Sequence, residues 1–224
     1  SVIGLVFATQ SLLHGLSLDA SHFSWALPNA TFSVGIDPLS SFFLVPLFLL
    51  GAITPLYGHA YLGGHGRKPR RGLSFAVFNL LLASMALLLV ARHAVLFLVA
   101  WEVMSLSAYL LVVYDHEELE VRRAGFIYLV AAHVGVTGLL ALFFSLYRLS
   151  GSFDFATIAA MPHWSFATAT GLFVLAILGF GVKAGTFPLH VWLPQAHAAA
   201  PSHVSALMSG VLIKMGIYGL LRTV

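Results

Sequence analysis

Lys183-Ala184-Gly185-Thr186-Phe187-Pro188-Leu189-His190-Val191-Trp192-Leu193-Pro194 is the stretch that decides how this chain reads. A long apolar run ends at a lysine, and a glycine and two prolines then interrupt whatever helix that run forms. The next apolar run carries a second lysine, Lys214, in its middle. A lysine placed in lipid costs ~2.5 kcal/mol or more on insertion scales and rarely persists without a use. Two of them flanking a proline-broken segment look like part of an ion pathway.

Composition sets the solvent around these lysines. The chain of 224 residues is 59% hydrophobic and only 8% charged, with mean hydropathy +0.94. A soluble globular domain carries about 25% charged residues, and a large core does not explain the deficit, because a chain of this length must still cover itself with polar surface. The solvent is lipid. The formal net charge of +3 comes from 11 Lys and Arg against 8 Asp and Glu. The basic residues gather in loops, notably Arg67, Lys68, Arg70 and Arg71, so the high pI reflects membrane topology and not nucleic-acid binding. There is no cysteine, which excludes disulfides, thiolate-held iron–sulfur clusters and thioether-linked haem in this chain. The first residues, Ser1 to Phe7, lack a methionine and a basic n-region, and the last lie inside an apolar run, so a fragment cut at both ends is expected.

Working outward, a membrane-spanning helix needs about 20 apolar residues. Residues 2–13 are apolar but short and read as a truncated span, followed by a polar loop over 14–36 with Asp19, Asn29 and Gly35. Six fuller spans are expected at about 39–62, 73–91, 93–114, 125–147, 168–187 and 203–224. The 1–224 chain thus reads as a single transmembrane domain, an all-α polytopic bundle. The connection over 148–166 is long enough for a short surface helix. Six basic residues in the Arg67 and Arg122 loops against three on the other side (Arg92, Arg148, Arg222) place the first two loops in the cytoplasm.

Glu102 lies near the centre of the 93–114 span, whose eleven Leu, Val and Phe residues are together worth roughly −3 to −6 kcal/mol on insertion, enough to carry one acid costing about 3 kcal/mol. It reads as a proton acceptor facing the bundle interior, or else as a protonated glutamate bonded to a neighbouring helix. Lys183 could snorkel to the interface from the end of its span, whereas Lys214 could not do so easily. Burial disfavours a charged ammonium and a nearby carboxylate favours it. A Glu–Lys pair whose separation changes can therefore bind and release a proton. Pro188 and Pro194 remove backbone donors, and Gly179, Gly181 and Gly185 are expected to loosen the preceding helix. Broken backbone at membrane depth lines cavities or ion sites in transporters, although a plain proline kink is the simpler reading.

Of eleven histidines, His133 lies mid-span, and His190, His197 and His203 surround the break, where each could pass protons or join a water network. Their spacings of 7 and 6 match no zinc pattern, so no metal is expected. His14, His22, His59, His65 and His163 read as loop or interface residues. The run Asp115 to Glu120 reads as a solvated loop or a docking site for a soluble partner. Trp25, Trp164 and Trp192 suit interfacial anchoring, while Trp101 is expected to pack within the bundle. No Gly-rich phosphate loop, nucleophile elbow or paired-acid constellation is present, which excludes conventional hydrolase and nucleotide chemistry.

The run from Lys183 to Arg222 closely resembles the antiporter-like proton-translocating membrane subunits of respiratory complex I, of Mrp-type cation/proton antiporters and of membrane-bound nickel–iron hydrogenases. Trp101-Glu102 with Ser107-Ala108-Tyr109-Leu110 resembles the glutamate helix of that family, and Ile36-Asp37-Pro38-Leu39-Ser40 its helix opening. Ser205-Ala206-Leu207-Met208-Ser209-Gly210, with Arg122-Arg123-Ala124-Gly125, looks most like the formate hydrogenlyase branch. The resemblance covers about residue 35 to the end. It implies a subunit of about fourteen spans built from two inverted five-helix repeats, each with a broken helix and a half-channel, of which this chain covers only the first. It makes Glu102 the acidic partner, Lys183 the lysine of the broken helix and Lys214 the relay lysine one helix later. His197 lies near the pathway in a Pro-x-Ala-His motif.

The resulting expectation is a proton-translocating subunit of a redox-driven complex in an energy-transducing membrane, the inner membrane of a bacterium or archaeon. The chain would bind no cofactor itself. Its partners would be other membrane and peripheral subunits, carrying iron–sulfur clusters and nickel–iron or a quinone. An Mrp-type Na⁺/H⁺ antiporter subunit without redox partners is the alternative, and a non-conducting scaffold is disfavoured by three central charges.

Overall fold

Asp37 starts the first long helix. Its Oδ1 accepts the backbone N–H of Ser40 at 2.8 Å, which satisfies one of the free donors at the start of α2, Pro38–Gly64. The computed structural model of the protein describes residues 1–25, 30–64, 71–161 and 164–223. In chain order its elements are α1 (Val2–His14), β1 (Leu18–Ser24), β2 (Thr31–Ile36), α2, α3 (Arg71–Val90), α4 (Ala94–Val112) and α5 (Leu119–Ser150). They are followed by α6 (Phe155–Ala159), α7 (Phe166–Ala184), α8 (Leu193–Ala199), α9 (Ser202–Leu207), a π-helical turn (Met208–Leu212) and α10 (Lys214–Thr223).

Among the described residues, six helical segments are long and apolar enough to cross a membrane, the last formed by α9, the π turn and α10 together. They overlap the six expected spans, with the largest difference at α5. Its 32 residues extend about 48 Å at 1.5 Å per residue, well beyond a hydrocarbon core of about 30 Å. Part of the surplus is the charged start of the helix with Glu120, Arg122 and Arg123, which hydropathy alone leaves out of the span, and part is its last residues, 148–150. α6 fills the expected short surface helix, capped by Asp154 Oδ1 on the N–H groups of Ala156 and Thr157. The expected basic loop residues Arg67, Lys68 and Arg70, with Asn29, His65 and His163, lie outside the described residues, as do the side chains of Asp19, His22 and Arg71.

The 14–36 stretch is not simply a polar loop. β1 and β2 pair antiparallel, with Leu18 opposite Ile36 and Phe23 opposite Phe32. Phe32, Val34 and Ile36 alternate with small residues, a period-two pattern that favours a strand. The small Ser33 and Gly35 face inward, and Arg92 N–H donates to Ser33 O at 2.9 Å, so the hairpin is stitched to the α3–α4 junction.

The core is aromatic. Phe97 and Trp101 of α4 stack at 5.7 Å, and Phe180 of α7 meets Trp101 edge-on at 5.5 Å, with Phe143 of α5 closing the group. Trp101 is buried within the bundle as expected. α5 and α7 approach closely enough that a Cβ on Gly138 would lie 3.0 Å from the Gly179 backbone N, the small-residue contact typical of membrane helices. Gly179 is therefore a packing residue, and the expectation that it loosens α7 is corrected. Likewise Trp192 is no interfacial anchor: it is 1% exposed and packs edge-on against Tyr128 at 5.1 Å.

Candidate functional site: a buried lysine at a helix break

α7 ends at Ala184 because Gly185 turns the chain with φ 69°, a left-handed conformation that costs glycine little. A non-helical stretch follows from Gly185 to Trp192, and α8 restarts with Pro194 in its first turn, where a missing N–H is harmless. The break expected from Pro188 and Pro194 is thus present. Trp192 crosses it, its Nε1–H donating to Val182 O at 2.8 Å, which adds a second donor to a carbonyl that the Gly185 N–H already reaches at 3.3 Å.

Lys183 sits in the last turn of α7 with 3% of its surface exposed, so it does not snorkel. Its Nζ donates to Tyr128 Oη at 2.8 Å and to Ser105 Oγ at 3.3 Å, and lies 5.0 Å from the Tyr128 ring centroid. Tyr128 Oη donates in turn to Ser105 O at 3.2 Å. Three helices thus meet at one ammonium: α4 through Ser105, α5 through Tyr128 and α7 through Lys183. A cavity of about 10 Å³ beside it, bounded by Trp101, Tyr128 and Trp192, has room for one water at most.

Glu102 is half-buried on α4, three residues before Ser105 and on the same helix face. No ion pair joins it to Lys183 among the described residues, where the ammonium is held by Tyr128 and Ser105 instead.

Lys214 occupies a second polar point. The π turn shifts Ile213 N–H onto Met208 O at 3.2 Å, and Lys214 Nζ takes the Ser209 carbonyl at 2.9 Å. His197 of α8 faces the same turn, its Nδ1 2.8 Å from Ser205 Oγ and 3.5 Å from Ser209 Oγ. Burial holds this imidazole below its ordinary value of 6.5. No hydrogen bond connects Lys183 to Lys214 among the described residues.

The other histidines are dispersed. His203 is buried against Phe75 and Phe78, with ring centroids at 6.4 and 5.9 Å, and stands beneath Gly58. His190 is half-buried on the Phe187 ring at 5.6 Å. His133 is exposed on the outer face of α5, its Nδ1 2.9 Å from Leu129 O. No cluster of three metal-binding side chains occurs among the described residues. Sequence reasoning gave no site role to Tyr128, Ser105, Ser205 or Ser209, the last two standing only in the motif of resemblance. A tyrosine hydroxyl in the middle of an apolar run was the available signal for the first of these, and the spacing of three from Glu102 for the second.

The family described as NADH:quinone oxidoreductase/Mrp antiporter, TM, matches residues 91–224, the segment that holds all of these groups. The chain belongs to this family. It is an integral membrane protein of the antiporter-like type. Hydrogenase-4 component B of Escherichia coli (strain K12) is 39% identical over 221 residues, covering 99% of this chain and 32% of the relative. NAD(P)H-quinone oxidoreductase chain 4 1 of Synechococcus sp. is 32% identical over 227 residues, covering 99% of this chain and 41% of the relative. A chain in the structure of the Mrp complex from Dietzia sp. superposes with TM-score 0.87 at 25% identity, over 99% of this chain and 24% of that one. The chain thus spans about a third of the length of the curated NADH:quinone oxidoreductase/Mrp antiporter relatives it matches. Those relatives are named as components of larger complexes.

Proposed function

We propose that this chain is part of a proton-translocating subunit of a redox-driven respiratory or hydrogenase complex, and that Glu102, Lys183 and Lys214 carry its proton relay. The burial of Lys183 at the helix break supports this most strongly. An ammonium that is 3% exposed and held by neutral hydroxyls has no bulk water to stabilise its charge, so its protonation follows whatever charge approaches it. Glu102, on the helix that already touches Lys183 through Ser105, is the group that can change that balance. Moving the carboxylate towards Lys183 draws a proton in, and moving it away releases the proton towards Lys214. His197, bound through Ser205 and Ser209 to the turn that holds Lys214, is the next acceptor along that route, with His133, His190 and His203 as weaker candidates.

Electron transfer resides in this reading on partner subunits with iron–sulfur clusters and nickel–iron or a quinone. The 39% identity to a hydrogenase component favours that setting. The likeness to a chain of an Mrp complex favours the second reading, a Na⁺/H⁺ antiporter subunit without redox partners. The Arg122 loop lies on the cytoplasmic side in both.

Proton uptake by inverted vesicles carrying the full-length protein in its native complex tests the relay. Lys183→Ala abolishes uptake while insertion and assembly persist, and normal uptake in that variant removes the proposal. Mass spectrometry of the copurifying subunits separates the two settings. Metal-centre subunits place the protein in a redox complex, and small membrane subunits without metal centres make it an antiporter.

A further inference from the structure

We infer that Tyr128 and Ser105 form a neutral docking point for the Lys183 side chain, the alternative to contact with Glu102, and that they position the lysine for release of its proton. This rests on the proposed relay and adds its second end position.

The hydrogen-bond directions carry the inference. The Ser105 carbonyl is an acceptor only, so the Tyr128 hydroxyl must spend its single proton on it, at 3.2 Å. The oxygen of that hydroxyl is left with lone pairs alone to offer, and Lys183 Nζ lies 2.8 Å away. Ser105 Oγ gives a second acceptor at 3.3 Å. Every partner that the lysine touches is uncharged, and each can accept from either an ammonium or a neutral amine. The lysine can therefore lose its proton without leaving this point. Beside Glu102 the carboxylate would favour the ammonium and hold the proton on the lysine.

The point is also rigid. Tyr128 is 1% exposed, Trp192 packs edge-on against it at 5.1 Å, and the Trp192 indole is fixed by its bond to Val182 O next to Lys183. Ser105 and Glu102 lie three apart on one face of α4, so a lysine swinging between them moves about one helical turn, within reach of its own side chain.

The test uses the full-length protein in its complex, with translocation measured per assembled complex. Tyr128→Phe and Ser105→Ala each remove one acceptor while keeping the shape of the site. A hydrogen bond to a charged group is worth about tenfold or more, so each variant should translocate about tenfold more slowly at unchanged assembly. Ser105→Thr retains the hydroxyl and should recover most of the rate lost in Ser105→Ala. Wild-type translocation in Tyr128→Phe overturns the inference, and so does a loss that merely follows the amount of assembled complex. Lys183→Ala separates the two levels. If it translocates normally, the relay itself fails. If it is silent while Tyr128→Phe behaves as wild type, only the docking point fails.

Discussion

Asp37 and Arg222 are 185 residues apart in the chain and form an ion pair, Arg222 Nη1 donating to Asp37 Oδ2. Arg92 Nη2 reaches the same carboxylate oxygen at 3.3 Å and the Ser40 hydroxyl at 3.2 Å. Tyr218 Oη and Ser40 Oγ both donate to Leu89 O, at 2.7 Å each. One carboxylate thus ties the start of α2, the α3–α4 junction and the end of α10 at the end of the bundle away from the Arg122 loop.

Asp37→Asn leaves two arginines facing each other with no anion between them. We expect a loss of about 2 kcal/mol, below the range for fully buried pairs, because the Asp37 side chain keeps 29% of its surface exposed. Thermal unfolding in detergent reads it. Burial pushes the Asp37 carboxyl up, but the Ser40 N–H and Arg222 outweigh it and hold the group below its ordinary 3.8. A depressed carboxylate stabilises the fold above the unfolded value and loses that contribution as pH falls through the folded one. Wild type should therefore lose stability below about pH 4, and Asp37→Asn should lack that acid step.

His93 predicts a second pH dependence of opposite origin. Its Nδ1 accepts the Val95 N–H at 3.3 Å and caps α4, which requires an unprotonated nitrogen. Burial holds the imidazole below 6.5, against a smaller upward pull from Asp154. The unfolded chain takes up this proton first as pH falls, so stability declines from about pH 6.5 downward. His93→Asn keeps a capping acceptor and should lessen the fall in melting temperature between pH 8 and 5, leaving the part that the likewise buried His197 contributes. An unchanged profile in that variant would assign the step elsewhere.

Gly216 tests the approach of α10 to α7. A Cβ at this position would lie 2.5 Å from Phe180 O and 2.6 Å from Ala184 N, both backbone atoms that cannot move aside alone. Gly216→Ala should cost about 1–3 kcal/mol, the usual penalty for overpacking, and lower the yield of folded protein in detergent.

Trp192→Phe keeps an aromatic ring against Tyr128 and deletes only the donor to Val182 O. Val182 O keeps the Gly185 N–H at 3.3 Å, so losing one of its two donors should lower stability by about 0.5–1.5 kcal/mol. With the end of α7 loosened next to Lys183, proton uptake should fall in the same variant, and full uptake would show that the break needs no clamp.

The sequence by itself determined that this chain suits lipid, that six of its segments are long and apolar enough to cross a membrane, and that Glu102, Lys183, Lys214 and a broken helix are its exceptional features. Hydropathy over about 20 residues and the cost of a buried charge are local properties. They can be read one span at a time, as can the Asp37 helix opening. The tertiary structure alone decided which groups face those charges. That Lys183 rests on Tyr128 and Ser105, 55 and 78 residues away in the chain, depends on how α4, α5 and α7 cross, and no periodicity encodes that rotation. The same holds for the outward position of His133, the buried Trp192 and the carboxylate that Arg92 and Arg222 share. In an apolar span nearly every face is hydrophobic, so the pattern that orients a helix in a soluble protein is missing, and small-residue contacts such as Gly138 on Gly179 set the orientation instead.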